Sequence, residues 1–243
     1  MKMLKLNSFT KLGVFIYLIF YLIFPKLAIT KNTKVDIRKN LENALNARNL
    51  KLIKNIFKEE ESLKIQKKFT EIIKDFPNSK WEIKTLSRVN ANENIFNIKV
   101  YGEKIVDKKI YFLQSNFNYL FSTHNGKINK GKIKNLLTTI RNDQNKIDII
   151  FKIPEKVLTG TKYDIDIILN EPLGDVIIAG GIISHQEESY LKQKITIEPL
   201  ASGGIFKTTR ALSKPATQIW SGILSHPKGM VSFTKSVEIV EKI

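Results

Sequence analysis

Apolar residues recur every three to four positions between Ile37 and Phe76, and every second position from Trp81 onward. The first spacing predicts helices and the second predicts strands. Ile37, Leu41, Ala44 and Leu45 share one helical face. The preceding Thr33-Lys34-Val35-Asp36 has the form of a capping box, with Asp where Glu or Gln is usual. Asn49 suits the N-cap of a second short helix with Leu52, Ile53, Ile56 and Phe57 inward. The run Glu59-Glu60-Glu61-Ser62 opens a third helix, because acids favour the positive end of a helix dipole. Ile65, Phe69, Ile72, Ile73 and Phe76 give that helix its apolar stripe, and Pro77 and Asn78 end it.

The alternation that follows is antiparallel in character. Trp81, Ile83 and Thr85 begin a sheet, and Asn90–Asn94 reads as a turn. Ile95–Tyr101 places Phe96, Ile98 and Val100 on one face, and Gly102–Lys108 reads as a second turn. Lys109–His124 is a long strand whose odd positions (Tyr111, Leu113, Ser115, Phe117, Tyr119, Phe121) are largely apolar. Asn125-Gly126 predicts a tight hairpin. Two further strands are expected at Lys127–Ile133 and Leu136–Ile140, although the second also fits a helix. Beyond a polar linker at 143–146, strands return at sandwich spacing: Ile147–Ile153, Tyr163–Leu169, Val176–Ile183, Lys194–Leu200, Ile205–Arg210, Gln218–Ser225 and Met230–Val240.

Ahead of the first helix, Lys2, Lys5 and Lys11 precede the apolar run 14–24 and Pro25. A basic segment before a short apolar core predicts a signal peptide over residues 1–30, or a membrane anchor through residues 13–25. The expected location is across the cytoplasmic membrane, in a periplasm or thylakoid lumen, or tethered to that membrane.

Charge sharpens this division. The chain of 243 residues carries a net charge of +17. Residues 31–146 hold 25 Lys and Arg against 12 acids, whereas residues 147–243 hold 11 of each. A basic first part beside a neutral second part suggests an anionic partner for the first. Only five of the 40 basic residues are Arg. That Lys bias argues against nucleic acid, whose readers use Arg for bidentate contacts. The chain has no cysteine, which excludes disulfides and thiolate chemistry. His124, His185 and His226 lack metal-ligand spacing, and Asp164 and Asp166 alone are a weak calcium signal, so no metal or cofactor is expected.

Several phrases carry a family resemblance. LENALNARNLKLIKNIF (41–57), FTEIIKDFPNSKWEI (69–83) and YLFSTHNGKI (119–128) resemble the nuclear transport factor 2-like superfamily with its SnoaL-like members. EPLG (171–174) and SGGIFK (202–207) resemble immunoglobulin-like sandwiches of exported cyanobacterial proteins of unknown function. The resemblance implies an α+β fold: a signal or anchor helix, a cone of helices and curved antiparallel sheet over 31–142, and an all-β immunoglobulin-like sandwich over 147–243. It also implies a pocket inside the cone, for which Tyr111, Ser115, Phe117 and Tyr119 are the candidate lining residues. The superfamily's acid/base pair has no clear counterpart on that face, so no catalytic residue is assigned. The function expected is therefore that of a non-enzymatic binding or assembly protein, with an unknown protein or an anionic membrane surface as partner. The alternative is a SnoaL-like binder, isomerase or cyclase acting on an apolar small molecule.

Overall fold

Helix α1 (Ile37–Asn46) buries Leu41, Ala44 and Leu45, helix α2 (Leu50–Ile56) buries Ile53, and helix α3 (Glu59–Asp75) buries Phe69. The Asn49 side chain caps α2 by accepting from Leu52 N–H at 3.1 Å. Leu52 itself points outward. In this computed structural model, residues 36–86, 93–143, 147–170, 176–186, 194–200 and 203–242 are described. The expected signal or anchor (1–30), the capping box, and most of the turns at 90–94 and 170–174 and of the linker at 143–146 lie outside them. Among the described residues no helix is long and apolar enough to cross a membrane.

Twelve strands follow: β1 (Lys80–Thr85), β2 (Glu93–Val106), β3 (Lys109–His124), β4 (Lys127–Arg141), β5 (Ile149–Lys152), β6 (Lys156–Leu158), β7 (Lys162–Leu169), β8 (Ile178–Gln186), β9 (Glu198–Leu200), β10 (Gly204–Arg210), β11 (Ala216–His226) and β12 (Gly229–Val240). Nine of them form one sheet, in the order β1-β2-β3-β4-β12-β11-β8-β9, with β6 running parallel beside the end of β12. The other three form a small sheet, β10-β7-β5. Local chemistry explains the hairpins. Asn125 and Gly126 both adopt positive φ, as a two-residue turn between twisted strands requires, and Asp107-Lys108 repeats the device. Gly102 is not in a turn. A Cβ there would lie 3.0 Å from Phe76 Cβ, so the missing side chain lets the residue after α3 pack onto β2. Strand β4 is continuous where two elements were expected. Asn135, at φ 51°, absorbs a bulge within it.

These pairings overturn the fold expected from sequence. The protein is predominantly β, with three short helices near the start of the described chain. There is no clear cone of the nuclear transport factor 2-like kind. The second half is β-rich and sandwich-like, but its main sheet is not a separate module. Strand β12 pairs with β4, Val231 to Lys235 against Arg141 to Leu137, so one sheet runs through both halves. The physical reason is that β4 pairs with β3 through one edge and offers its other edge, at Leu137–Arg141, to β12. Residues 37–243 make up one compact unit. The corner after β4 is fixed by Arg141, which grips the buried Asp143 through Nε (2.7 Å) and Nη2 (2.5 Å) and donates to Ile147 C=O.

The two covering layers lie on opposite faces of the large sheet. Ile140 pairs with Leu113 and packs on the core beneath the helices. Its neighbour Thr139 pairs with Phe233, which belongs to the core under the small sheet. Adjacent residues of a strand face opposite ways, so the helices and the small sheet must cover opposite sides. The β1 edge is closed by α1. Asn46 accepts from Trp81 N–H (2.9 Å) and donates to Trp81 C=O (2.8 Å), standing in for a strand neighbour. Arg38 donates to Ile83 C=O at 3.3 Å. An edge capped in this way cannot template another strand.

Candidate functional site

Of the four residues expected to line a pocket, Tyr119 is the most deeply embedded, at 3% exposure. Its hydroxyl donates to Glu61 Oε1 at 2.8 Å. Glu61 comes from the first turn of α3 and is 8% exposed. Its position follows from helical spacing: Glu61, Ile65, Phe69, Ile72 and Phe76 fall on one stripe. Tyr119 packs edge-on against Phe57 and stacks on Phe121. The phenol fits only because residue 131 on β4 is glycine, where a Cβ would stand 1.9 Å from the Tyr119 oxygen. Burial first, and then the Glu61 charge and hydrogen bond, push the Tyr119 hydroxyl well above the ordinary tyrosine range. This phenol stays protonated and fastens α3 to the sheet.

The other candidates are less enclosed or already bonded. Ser115 is buried and shares a 2.7 Å hydrogen bond with Thr138 on β4. Phe117 is partly buried against the core. Tyr111 is half-buried and pairs with Lys104, toward the β2–β3 hairpin. All four therefore share the helix-covered face of β3. Strand alternation made that face legible, but not Glu61, which arrives from the other layer. The signal for Glu61 was a carboxylate in register with the apolar stripe of α3.

The histidines divide three ways. His124 is exposed at the end of β3. His185 lies in β8, with Nε2 3.1 Å from Ser221 Oγ. His226 ends β11 buried, and its Nδ1 accepts from Lys228 N–H at 3.0 Å. In the second half, Trp220 Nε1 donates to Tyr163 OH (2.9 Å), which donates to Gln218 Oε1 (2.8 Å). Asp164 accepts from Thr208 at 2.6 Å on the outer face of the small sheet.

A different surface emerges on the uncovered face of β1–β4. Register aligns Lys80, Tyr101, Gln114 and Thr139 in one row, and Glu82, Lys99, Asn116 and Leu137 in the next. Lys84, Asn97, Asn118 and Lys134 form the third. Lys132 and Lys130 continue along β4 opposite Leu120 and Ser122. Asn97 donates to both Asn116 (2.8 Å) and Asn118 (3.0 Å), which stiffens the centre. Glu238 of β12 reaches Lys134 at 2.8 Å and Lys132 at 3.9 Å. Burial tends to raise the Glu238 carboxyl, but these lysines and Lys156 outweigh it and hold it below the usual carboxylate range. Six lysines thus share a face on which β1 and β2 place three acids, Glu82, Glu93 and Glu103.

A family model described as a domain of unknown function (DUF8623) matches residues 144–240. That span runs from the corner after β4 to the end of β12, and so takes in the small sheet and its partner strands. No curated protein matches the chain.

Proposed function

We propose that the chain is a non-enzymatic binding protein whose lysine-bearing sheet face meets an anionic membrane surface, with the N-terminal apolar segment exporting or tethering it. The observation that supports this reading is the alignment of Lys80, Lys84, Lys99, Lys130, Lys132 and Lys134 on the one face of β1–β4 that the helices leave uncovered. Lysines spread over a flat face suit headgroups better than bases, because each acts as a point charge without bidentate geometry. The neutral, sandwich-like half then remains available for protein contact. The inward tyrosine and serine hydroxyls are engaged within the protein, which gives no catalytic role to Tyr119 or Ser115.

Flotation with phosphatidylserine-containing vesicles tests the proposal. Binding is expected at low salt, with loss at high salt and none to phosphatidylcholine alone. A Lys84→Glu/Lys99→Glu/Lys134→Glu variant should stay with the unbound protein. Salt-insensitive binding, or none, overturns the reading.

A further inference from the structure

Strands β2 and β3 run past both of their neighbours. Strand β1 meets β2 no further than Tyr101, and β4 ends at Arg141 opposite Phe112. The residue that closes α3, Phe76, packs at Gly102. Past these points, among the described residues, the pairs Lys104–Tyr111, Ile105–Ile110 and Val106–Lys109 make a two-stranded ribbon closed by the Asp107-Lys108 turn. Three residue pairs at about 3.4 Å each carry the tip roughly 10 Å beyond the body of the sheet.

That tip is apolar. Ile105 is 73% exposed and its neighbour Val106 41%. Ile110 and Tyr111 are half-buried beside them. One exposed isoleucine is ordinary, but adjacent apolar residues on a protruding tip rimmed by charge mark a contact surface. Lys99, Tyr101, Glu103 and Ile105 alternate to one side of β2, so Ile105 and its partner Ile110 share the side that carries the lysines. Val106 turns to the other side. Lys104 leans back from the tip, with Nζ 5.0 Å from the Phe76 ring centroid and 3.7 Å from Asp75 Oδ1. Lys108 and Lys109 stay exposed at the turn. Lys108 holds φ at 64° in the second turn position, where glycine is usual, so a cation stands there at a backbone cost. The tip therefore has an apolar point and a collar in which Lys104, Lys108 and Lys109 outnumber Glu103 and Asp107.

We infer, resting on the membrane reading of the lysine face, that this tip inserts into the interface of an anionic lipid bilayer. Ile105, Val106 and Ile110 enter the boundary of the acyl chains, while Lys108 and Lys109 keep their ammonium groups at the headgroup phosphates. A reach of roughly 10 Å matches the depth to which interfacial elements bury their apolar faces. The ribbon leaves no backbone group unpaired in lipid beyond its turn, because its two strands bond each other. The lysines attract the sheet to the surface, and the tip supplies a term that salt does not screen.

Both native tryptophans, Trp81 and Trp220, are buried, so an indole placed at the tip reports on its own surroundings. In the full chain, Ile105→Trp keeps a residue suited to an exposed strand. With phosphatidylserine-containing vesicles its emission should shift to the blue and be quenched by bromine on the acyl chains, and the parent's emission should not change. Ile105→Thr/Val106→Thr should leave the melting temperature unchanged, because both positions are exposed. It should weaken vesicle binding about tenfold yet keep the parent's dependence on salt, since every lysine remains. Insertion is overturned if Ile105→Trp floats with the vesicles unquenched, or if the threonine variant binds as tightly as the parent; either result leaves the lysine face as the membrane contact. A blue shift that grows with protein concentration in the absence of vesicles also overturns it, and assigns the tip to a second copy of the chain. Absence of any flotation overturns both the insertion and the membrane reading.

Discussion

Each half of the molecule fastens a covering layer to the shared sheet through a buried tyrosine, but the two fastenings differ in charge. Under the helices, Tyr119 donates to the carboxyl of Glu61. Under the small sheet, Tyr163 both donates to Gln218 and accepts from Trp220, all of them uncharged. A buried carboxylate that loses its donor keeps its full desolvation cost, whereas a neutral group left alone costs less. The helical layer should therefore tolerate damage to its tyrosine less well than the small sheet does, although both cores are tightly packed.

The largest effect should come from removing the space that Tyr119 occupies. In Gly131→Ala the new Cβ would meet the phenol at 1.9 Å, and the hydrogen bond to Glu61 resists moving the ring aside. A loss of about 3 kcal/mol is expected by denaturant unfolding, at the upper end of overpacking penalties. Near-parental stability would show that the ring is free to move. Next in size is the direct contrast of Tyr119→Phe with Tyr163→Phe. The first leaves Glu61 buried without its donor and should cost about 2.5 kcal/mol, against about 1.5 kcal/mol for the neutral network. Glu61→Gln keeps an acceptor for Tyr119 and should fall below both. If Tyr163→Phe proves the more damaging, charge is not what distinguishes the two halves.

Much of the local structure was legible and little of the long-range pairing was. Strand β3 occupies Lys109–His124 as its alternation implied, and α1 and α3 carry the stripes read from the sequence, whereas α2 turns Leu52 of its expected stripe outward. Those features depend on neighbours within a few residues. Pairing of β4 with β12 joins positions about ninety residues apart, and nothing in the alternation of Met230–Val240 names its partner. Strand β6 has only three residues and a parallel partner, so it leaves no periodic signal at all. The short phrases that resembled a nuclear transport factor 2-like domain record a helix break and a hairpin, devices that many folds share. On the site, the inward face of β3 was readable, but its most consequential contact was not. The acidic run at the start of α3 suited the helix dipole equally well, and that explanation hid the fact that one of its members faces the core.

The smallest of the three effects appears only in alkali, and it separates the two tyrosines by mechanism. Burial raises both hydroxyls above their ordinary range; the Glu61 charge adds to the effect at Tyr119, whereas the Trp220 hydrogen bond opposes it at Tyr163. A phenol whose pKa is raised by folding holds its proton more tightly in the folded state. Its contribution to stability is therefore complete below the unfolded value of about 10 and declines as pH rises past it. Unfolding measured across this range should show an alkaline loss of stability in the parent. Tyr119→Phe should flatten that loss more than Tyr163→Phe does, since it removes the phenol whose ionisation would set a second negative charge beside Glu61. Equal slopes in the two variants would mean that burial alone governs both hydroxyls and that the carboxylate contributes nothing to the difference.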